Sequence, residues 1–138
     1  MPSWKKVLVE GGSAHVNQIT SSHTLVTGSL KAQQHSISAT GGSHTSALNF
    51  AKATNFKISL GVNTAISSSN ESISEGQSGV VVLVQDNTGG RQVTIPSTWK
   101  TPRGADIAFD SGSDEINIIS YYVIDSGSVA INYMGDFS

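Results

Sequence analysis

Residues 85–91, with the sequence QDNTGGR, bring together groups that could bind an anion. A glycine-rich loop binds phosphate when a strand precedes it and a helix follows, because the N–H groups at the start of the helix then face the anion. Here a second strand pattern, residues 91–95, follows in place of a helix. Asp86 can accept hydrogen bonds from the backbone after it, and the two glycines tolerate positive φ angles. The stretch therefore predicts a hairpin connection between two strands.

A second group of polar side chains lies between residues 106 and 115, where four carboxylates surround a Ser-Gly-Ser sequence. Calcium requires six to eight oxygen ligands, and the D-x-[DN]-x-[DN]-G spacing of a calcium loop is missing. A glycosidase would need two carboxylates at a fixed separation, and no pattern in the sequence provides it. The segment is typical of a solvated turn, and we predict neither a metal nor a cofactor.

The chain offers no pattern for nucleophilic or zinc-dependent catalysis. It contains no cysteine, which excludes thiolate zinc sites and disulfides. Its four histidines follow neither H-x-H nor H-x-x-x-H spacing, and its many serines lack a G-x-S-x-G elbow. We predict that the protein is not an enzyme.

The remaining candidates for ligand binding are aromatic. Trp99 lies between Pro96 and Pro102 and could stack on a sugar, although a tryptophan in this position more often closes the end of a β-sandwich. Tyr121 and Tyr122 could provide further stacking surfaces. A glycan site at these residues stays open as an alternative to a purely structural role.

The elements that would position these residues are strands. Alternating apolar residues at 55–60 and 129–133, and the β-branched runs at 80–84 and 116–124, predict four of them. Glycine- and proline-containing turns separate the strands, which favours an all-β fold of antiparallel β-sandwich or jelly-roll type. We predict a sandwich domain at residues 46–138 and an extended N-terminal arm at residues 1–45. We find no convincing internal repeat.

Two of the predicted strands are apolar on both faces, which a sheet with one face in water does not require. Either the N-terminal segment covers the second face or another subunit does. An exposed apolar patch of this size usually marks an interface. We therefore predict a homo-oligomer, with an interface that includes Val81, Leu83, Ile119, Tyr121 and Val123.

Bulk composition excludes several partners. The net charge is −2 and the eight Lys and Arg residues are scattered, which gives no footprint for nucleic acid. No window approaches the length of a membrane-spanning helix or of the apolar core of a signal peptide. We predict a protein that binds neither nucleic acid nor membrane.

Residues 76–133 resemble a domain found in virion proteins of tailed phages. The resemblance lies in Gly76-Gln77-Ser78-Gly79, in residues 80–86 with Thr88-Gly89-Gly90-Arg91, in Trp99-Lys100 with Pro102, and in residues 118–124. Residues 55–60 look like the opening strand of that domain, and residues 3–9 (SWKKVLV) are similar to the start of many structural proteins of marine cyanophages.

The resemblance implies a β-sandwich that is part of a virus particle, commonly trimeric and without catalysis. Since no Gly-X-Y tract or heptad stalk precedes the domain, we favour a capsid decoration (cement) protein on the capsid surface. It would bind the major capsid protein or neighbouring virion proteins through Trp4, Val7, Leu8 and Val9 in its arm. The alternative is a tail or fibre-tip component that binds glycans on the host surface.

Overall fold

The computed structural model describes residues 32–68 and 73–138. These residues form nine strands and one short 3₁₀ turn at Pro102–Gly104. The strands are β1 (Gln34–Ala39), β2 (His44–Leu48), β3 (Asn55–Leu60), β4 (Thr64–Ser68), β5 (Ser78–Gln85), β6 (Val93–Thr94), β7 (Trp99–Lys100), β8 (Ile116–Asp125) and β9 (Ser128–Phe137). No helix in these ranges is long and apolar enough to cross a membrane.

The strands form two sheets, which confirms the all-β, sandwich-like prediction. The larger sheet has the order β1-β3-β5-β8-β9-β7, and the smaller has the order β2-β4-β6. Only the β5–β8 and β8–β9 pairs are antiparallel. All other pairs in the two sheets are parallel, so the expected antiparallel jelly roll does not describe the first half of the fold.

Four of the five parallel pairs arise because the chain alternates between the sheets, whereas β7 and β9 are connected through β8 of the same sheet. Parallel neighbours need a crossover connection, and here the crossover is itself a strand of the other sheet. From β1 the chain passes through β2 before it returns as β3, so that Gln34 pairs with Asn55 and His44 with Thr64 after about 20 residues. A second such passage, through β4, leads to β5. The described part of the chain thus contains a structural repeat, contrary to the prediction of none.

The N-terminal boundary of the sandwich also differs from the prediction. Strand β1 pairs along its whole length with β3, and the predicted boundary at residue 45 falls inside β2. Residues 34–45 therefore belong to the sheets. Their outward positions are polar and exposed, and only Ala39 of β1 is fully buried, so the sequence predicts an arm where the structure has strands.

The core lies between the two sheets and receives apolar side chains from both. Phe56, Ile58 and Leu60 of β3 have almost no exposed surface, and Leu48 of β2 and Ile66 of β4 face them from the smaller sheet. Burying a side chain of this size contributes about 1.5–3 kcal/mol to the free energy of unfolding. Edge-to-face contacts between aromatic rings also stabilise the core.

Phe50, in the connection between β2 and β3, occupies the centre of an aromatic cluster. Its ring lies edge-to-face against Phe56, at 5.4 Å between centroids, and against Tyr121, at 5.2 Å. This geometry places positive ring edges on negative ring faces and is favourable beyond the buried area alone. The cluster joins β3 to β8.

Candidate interaction surface

The outer face of the larger sheet is apolar over three strands. Cross-strand partners project to the same face, so Val82, Ile118 and Met134 form one row across β5, β8 and β9. A second row contains Val84, Ile116 and Phe137. We call this surface the apolar outer face; its members are Val80, Val82, Val84, Ile116, Ile118, Tyr122, Ile124, Met134 and Phe137.

Several of these side chains are largely open to solvent. Tyr122 is 52% exposed, Ile124 50%, and Met134 and Phe137 43% each. The remaining members are half-buried, because their neighbours in the same face cover their flanks. Clustering of this kind is unusual on the surface of a monomer, so this face is a candidate contact surface.

The surface ends sharply at β3. Next to Val82 lies Lys57, and next to Val84 lies Ser59, so the outward positions of β3 are polar. The outward positions of β1 are polar as well, with Ser36 and Ser38 exposed. The apolar outer face is therefore confined to the antiparallel part of the sheet.

The residues predicted for the oligomer interface lie on the opposite face of these strands. Val81, Leu83, Ile119 and Val123 have no exposed surface, and Tyr121 is 3% exposed. They pack into the core of a single chain and are not available to a second subunit. Alternation along a strand is strict, so the interface prediction selected the right strands and the wrong face. Trp4, Val7, Leu8 and Val9, predicted to contact the capsid, lie outside the described residues.

The three aromatic residues of the glycan alternative are not equivalent. Trp99 is 4% exposed and closes the core beside β9, where it pairs with Val129. The Tyr121 hydroxyl donates a hydrogen bond to the carbonyl of Thr54 at 2.6 Å, and burial raises the pKa of Tyr121 to about 12. Only Tyr122 presents a ring to solvent. Neither Trp99 nor Tyr121 can act as a stacking platform.

The loop after β5 is a connection between sheets. It joins β5 of the larger sheet to β6, which pairs with β4 in the smaller sheet, so the predicted hairpin is wrong. The glycines do have positive φ, 69° at Gly89 and 77° at Gly90. A two-sheet crossover and a hairpin use the same turn residues, and the sequence could not separate them.

Within this loop the guanidinium of Arg91 is held by Asp86. Nη2 of Arg91 lies 2.7 Å from Oδ2 of Asp86, and Nε lies 3.1 Å from the same oxygen. The other oxygen of Asp86 accepts hydrogen bonds from the N–H groups of Thr88 and Gly89. The hydrogen bond from Arg91 is the main cause that lowers the pKa of Asp86. The salt bridge between Arg91 and Asp86 therefore stabilises the loop, and the guanidinium is not free to bind an anion.

Among the carboxylates of residues 106–115, that of Asp110 is held by contacts within the protein. Asp110 accepts a hydrogen bond from the N–H of Asp136 at 2.8 Å, and its Oδ2 lies 3.0 Å from the hydroxyl oxygen of Tyr133. Burial is the main cause that raises the pKa of Tyr133. Within residues 32–68 and 73–138, no three His, Cys, Asp or Glu side chains are grouped so as to hold a metal ion.

Comparison with known families agrees with this picture of a β-rich structural domain. Residues 38–128 match a family described as "Putative phage tail fibre C-terminal domain". The chain belongs to this family. No match was found among curated proteins or among solved structures.

Membership of the tail fibre domain family makes the chain a bacteriophage structural protein and places it in the virion. The matched range extends from the last two residues of β1 to the first residue of β9, so it includes the whole of β2 to β8 and strands of both sheets. The family favours the tail or fibre alternative over capsid decoration, which was the main prediction. The cyanophage origin indicated by residues 3–9 stays a prediction, since those residues lie outside the matched range.

Proposed function

We propose that this protein is a structural component of a phage tail fibre, at or near the fibre tip, and that it contributes to contact with glycans on the host surface without catalysis. The observation that carries the proposal is the family match over residues 38–128. A structural role for the polar loops is supported by the salt bridge between Asp86 and Arg91 and by the contacts of Asp110. The charged groups of these three residues are engaged with the protein itself.

The position in the virion can be tested by copy number. Quantitative mass spectrometry of purified particles, with the major capsid protein as the internal standard, gives the number of chains per particle. A tail fibre component occurs far less often than the major capsid protein. A copy number comparable to that of the capsid subunit would overturn the tail fibre function and restore capsid decoration.

We propose further that the domain works as a homo-oligomer, expected to be a trimer, and that the apolar outer face forms the contact. The apolar outer face contains two rows of three apolar side chains and no charged residue within them. These side chains offer water no hydrogen-bonding groups and can pack against the apolar surface of a second copy. Stable interfaces bury on the order of 800 Å² per partner, so the contact would extend beyond these rows to Tyr122 and Ile124.

Sedimentation equilibrium with paired variants tests this contact. Val82→Thr combined with Ile118→Thr places two hydroxyls in the centre of the surface while it keeps β-branched side chains. We expect dissociation to weaker oligomers or monomers, with an association constant at least about tenfold lower, equal to about 1.4 kcal/mol. Ser36→Thr with Ser38→Thr, on the polar part of the same sheet, is the matched control and should leave the association unchanged. A monomeric wild-type protein would refute the contact.

A further inference from the structure

A cleft opens between the chain around β6 and the segment 104–109, beside the end of the core that Trp99 closes. Its volume is about 590 Å³, within the range of small-molecule sites. A smaller hollow of about 230 Å³ lies next to it and shares Val93, Ile107 and Phe109 with it. The cleft is separate from the apolar outer face, since the two surfaces have no lining residue in common.

The floor of the cleft is apolar and firmly supported. Val93, Ile95, Ile107 and Phe109 line it and are partly buried against the core. The ring of Phe109 packs edge-to-face on Tyr133 at 5.3 Å, which fixes its orientation. A floor of this kind suits the C–H face of a sugar ring better than a charged group.

The rim of the cleft is polar. Thr94, Ser97 and Asp106 are exposed at its edge, and Lys100 adds an exposed positive charge opposite to that of Asp106. The two charges offset each other, so the rim gives no preference for an anion or a cation. The hydroxyls of Thr94 and Ser97 and the carboxylate of Asp106 can form hydrogen bonds with the hydroxyls of a neutral ligand.

A buried donor in the wall points independently to a ligand. Trp99 lines the cleft, and its indole Nε1 has no hydrogen-bond acceptor among the described residues although it is buried. Leaving a buried N–H group without an acceptor is unfavourable, and most buried donors in proteins are paired. A ligand hydroxyl that reached this atom from the cleft would supply the missing acceptor.

We propose that this cleft binds a short neutral saccharide, with the sugar ring on the apolar floor and a hydroxyl accepting from Nε1 of Trp99. A peptide is a poorer fit, because strand addition needs a run of free main-chain groups and β6 contains only two residues. The proposal rests on the tail fibre function and gives its glycan contact a location. It also explains how Trp99 contributes to binding without an exposed ring.

The test combines a glycan array with cleft variants. Wild-type protein is applied to an array of neutral bacterial surface oligosaccharides, and the strongest ligand is then titrated in solution. In a Trp4→Phe background Trp99 is the sole tryptophan of the chain, so its fluorescence reports directly on the cleft wall. We expect saturable binding accompanied by a shift of the Trp99 emission.

Two exposed alanines of the same segment provide a matched pair. Ala105 lines the cleft, whereas Ala108 lines only the smaller hollow. Ala105→Phe should fill the cleft and reduce affinity at least about tenfold, and Ala108→Phe should leave it within about twofold of wild type. Trp99→Phe keeps an aromatic ring and removes the donor, so we expect affinity to fall about fivefold to tenfold if the variant folds.

The outcomes separate this proposal from the tail fibre function. The proposal that the cleft binds a saccharide is overturned if no glycan on the array binds. It is also overturned if Ala105→Phe does not reduce binding. An equal loss of binding in Ala105→Phe and Ala108→Phe would show that the saccharide site is not specific to the cleft. None of these results alters the copy number per particle, which tests the tail fibre function by itself.

Discussion

The side chain of Gln85 forms two hydrogen bonds with the main chain of Arg91. Its Nε2 donates to the carbonyl of Arg91 at 2.8 Å, and its Oε1 accepts from the N–H of Arg91 at 3.0 Å. Gln85 is the last residue of β5 and is 2% exposed. A buried amide thus satisfies both polar groups of a loop residue that has no strand partner, in the way a neighbouring strand would.

Gln85→Leu should destabilise the protein by about 2–3 kcal/mol, because it removes two hydrogen bonds and leaves both main-chain groups of Arg91 without their partner. Urea denaturation followed by circular dichroism measures the change. Gln92→Ala, at an exposed position of the same connection, should change the free energy of unfolding by less than about 0.5 kcal/mol. Equal effects of the two substitutions would contradict the role of Gln85.

Asn117 repeats this arrangement on the next strand of the sheet. Its Nδ2 donates to the carbonyl of Asp110 at 2.8 Å, and its Oδ1 accepts from the N–H of Asp110 at 2.9 Å and from the hydroxyl of Tyr133 at 2.6 Å. Asn117→Leu should cost about 2–3 kcal/mol, and Tyr133→Phe about 1 kcal/mol. The ratio of the two losses in the same denaturation experiment checks this order. A larger loss for Tyr133→Phe would show that the hydroxyl, and not the amide, organises the loop.

Gly79 is required by close packing at the start of β5. A Cβ at this position would overlap the carbonyl oxygen of Thr54 and lie 2.9 Å from the hydroxyl of Tyr121. Gly79→Ala should therefore destabilise the protein by about 2–3 kcal/mol, as overpacked sites do. Gly42→Ala is the control, because among the described residues no heavy atom lies within 4 Å of a Cβ there. It should stay within about 1 kcal/mol of wild type. A tolerated alanine at Gly79 would mean that β3 and β5 can separate at this point.

The lowered pKa of Asp86 makes stability depend on acid pH. A carboxyl with a lower pKa in the folded state stabilises the protein above its ordinary pKa, near about pH 4, and loses this contribution as the pH falls through the lower, folded-state value. The melting temperature of wild type should exceed that of Asp86→Asn at pH 7, and the difference should shrink below about pH 4. Asp106→Asn removes the same charge at an exposed site and serves as the control. A difference that stays constant down to pH 2 would rule out this linkage.

The sequence predicted β3, β5, β8 and β9 well because their residues carry the signal within themselves. Alternation in β3 and the branched runs of β5 and β8 identify strands locally, and the Ser126-Gly127 turn between β8 and β9 is bounded by the Asp125–Ser128 pair. The sequence does not predict strands β1 and β2, because each places only one large apolar side chain on its inward face, Ile37 in β1 and Leu48 in β2, and this is too few to show alternation. They pair with β3 and β4, which lie about 20 residues further along the chain, and a local sequence pattern does not encode such a pairing.

A weak signal of the repeated passage between sheets does exist in the sequence. Ser43-His44-Thr45 repeats Ser22-His23-Thr24, and Lys52-Ala53 repeats Lys31-Ala32, with the same spacing that separates Gln34 from its partner Asn55. In the folded protein, Ile37, Ile58 and Leu83 stack in register at equivalent positions. Because such positions ask only for an apolar side chain of suitable size, the repeat leaves few identical residues behind.

By itself the sequence determined that the protein is built from strands, that it lacks the residue patterns of a metal or nucleophile site, and that it resembles phage virion proteins. Tertiary structure alone decided that the first strands are parallel, which face of β5 and β8 is buried, and that Trp99 lines a cleft. A strand specifies its own two faces, but whether each face meets core or solvent depends on where the rest of the chain returns. That return is set by long-range packing, which no short stretch of sequence contains.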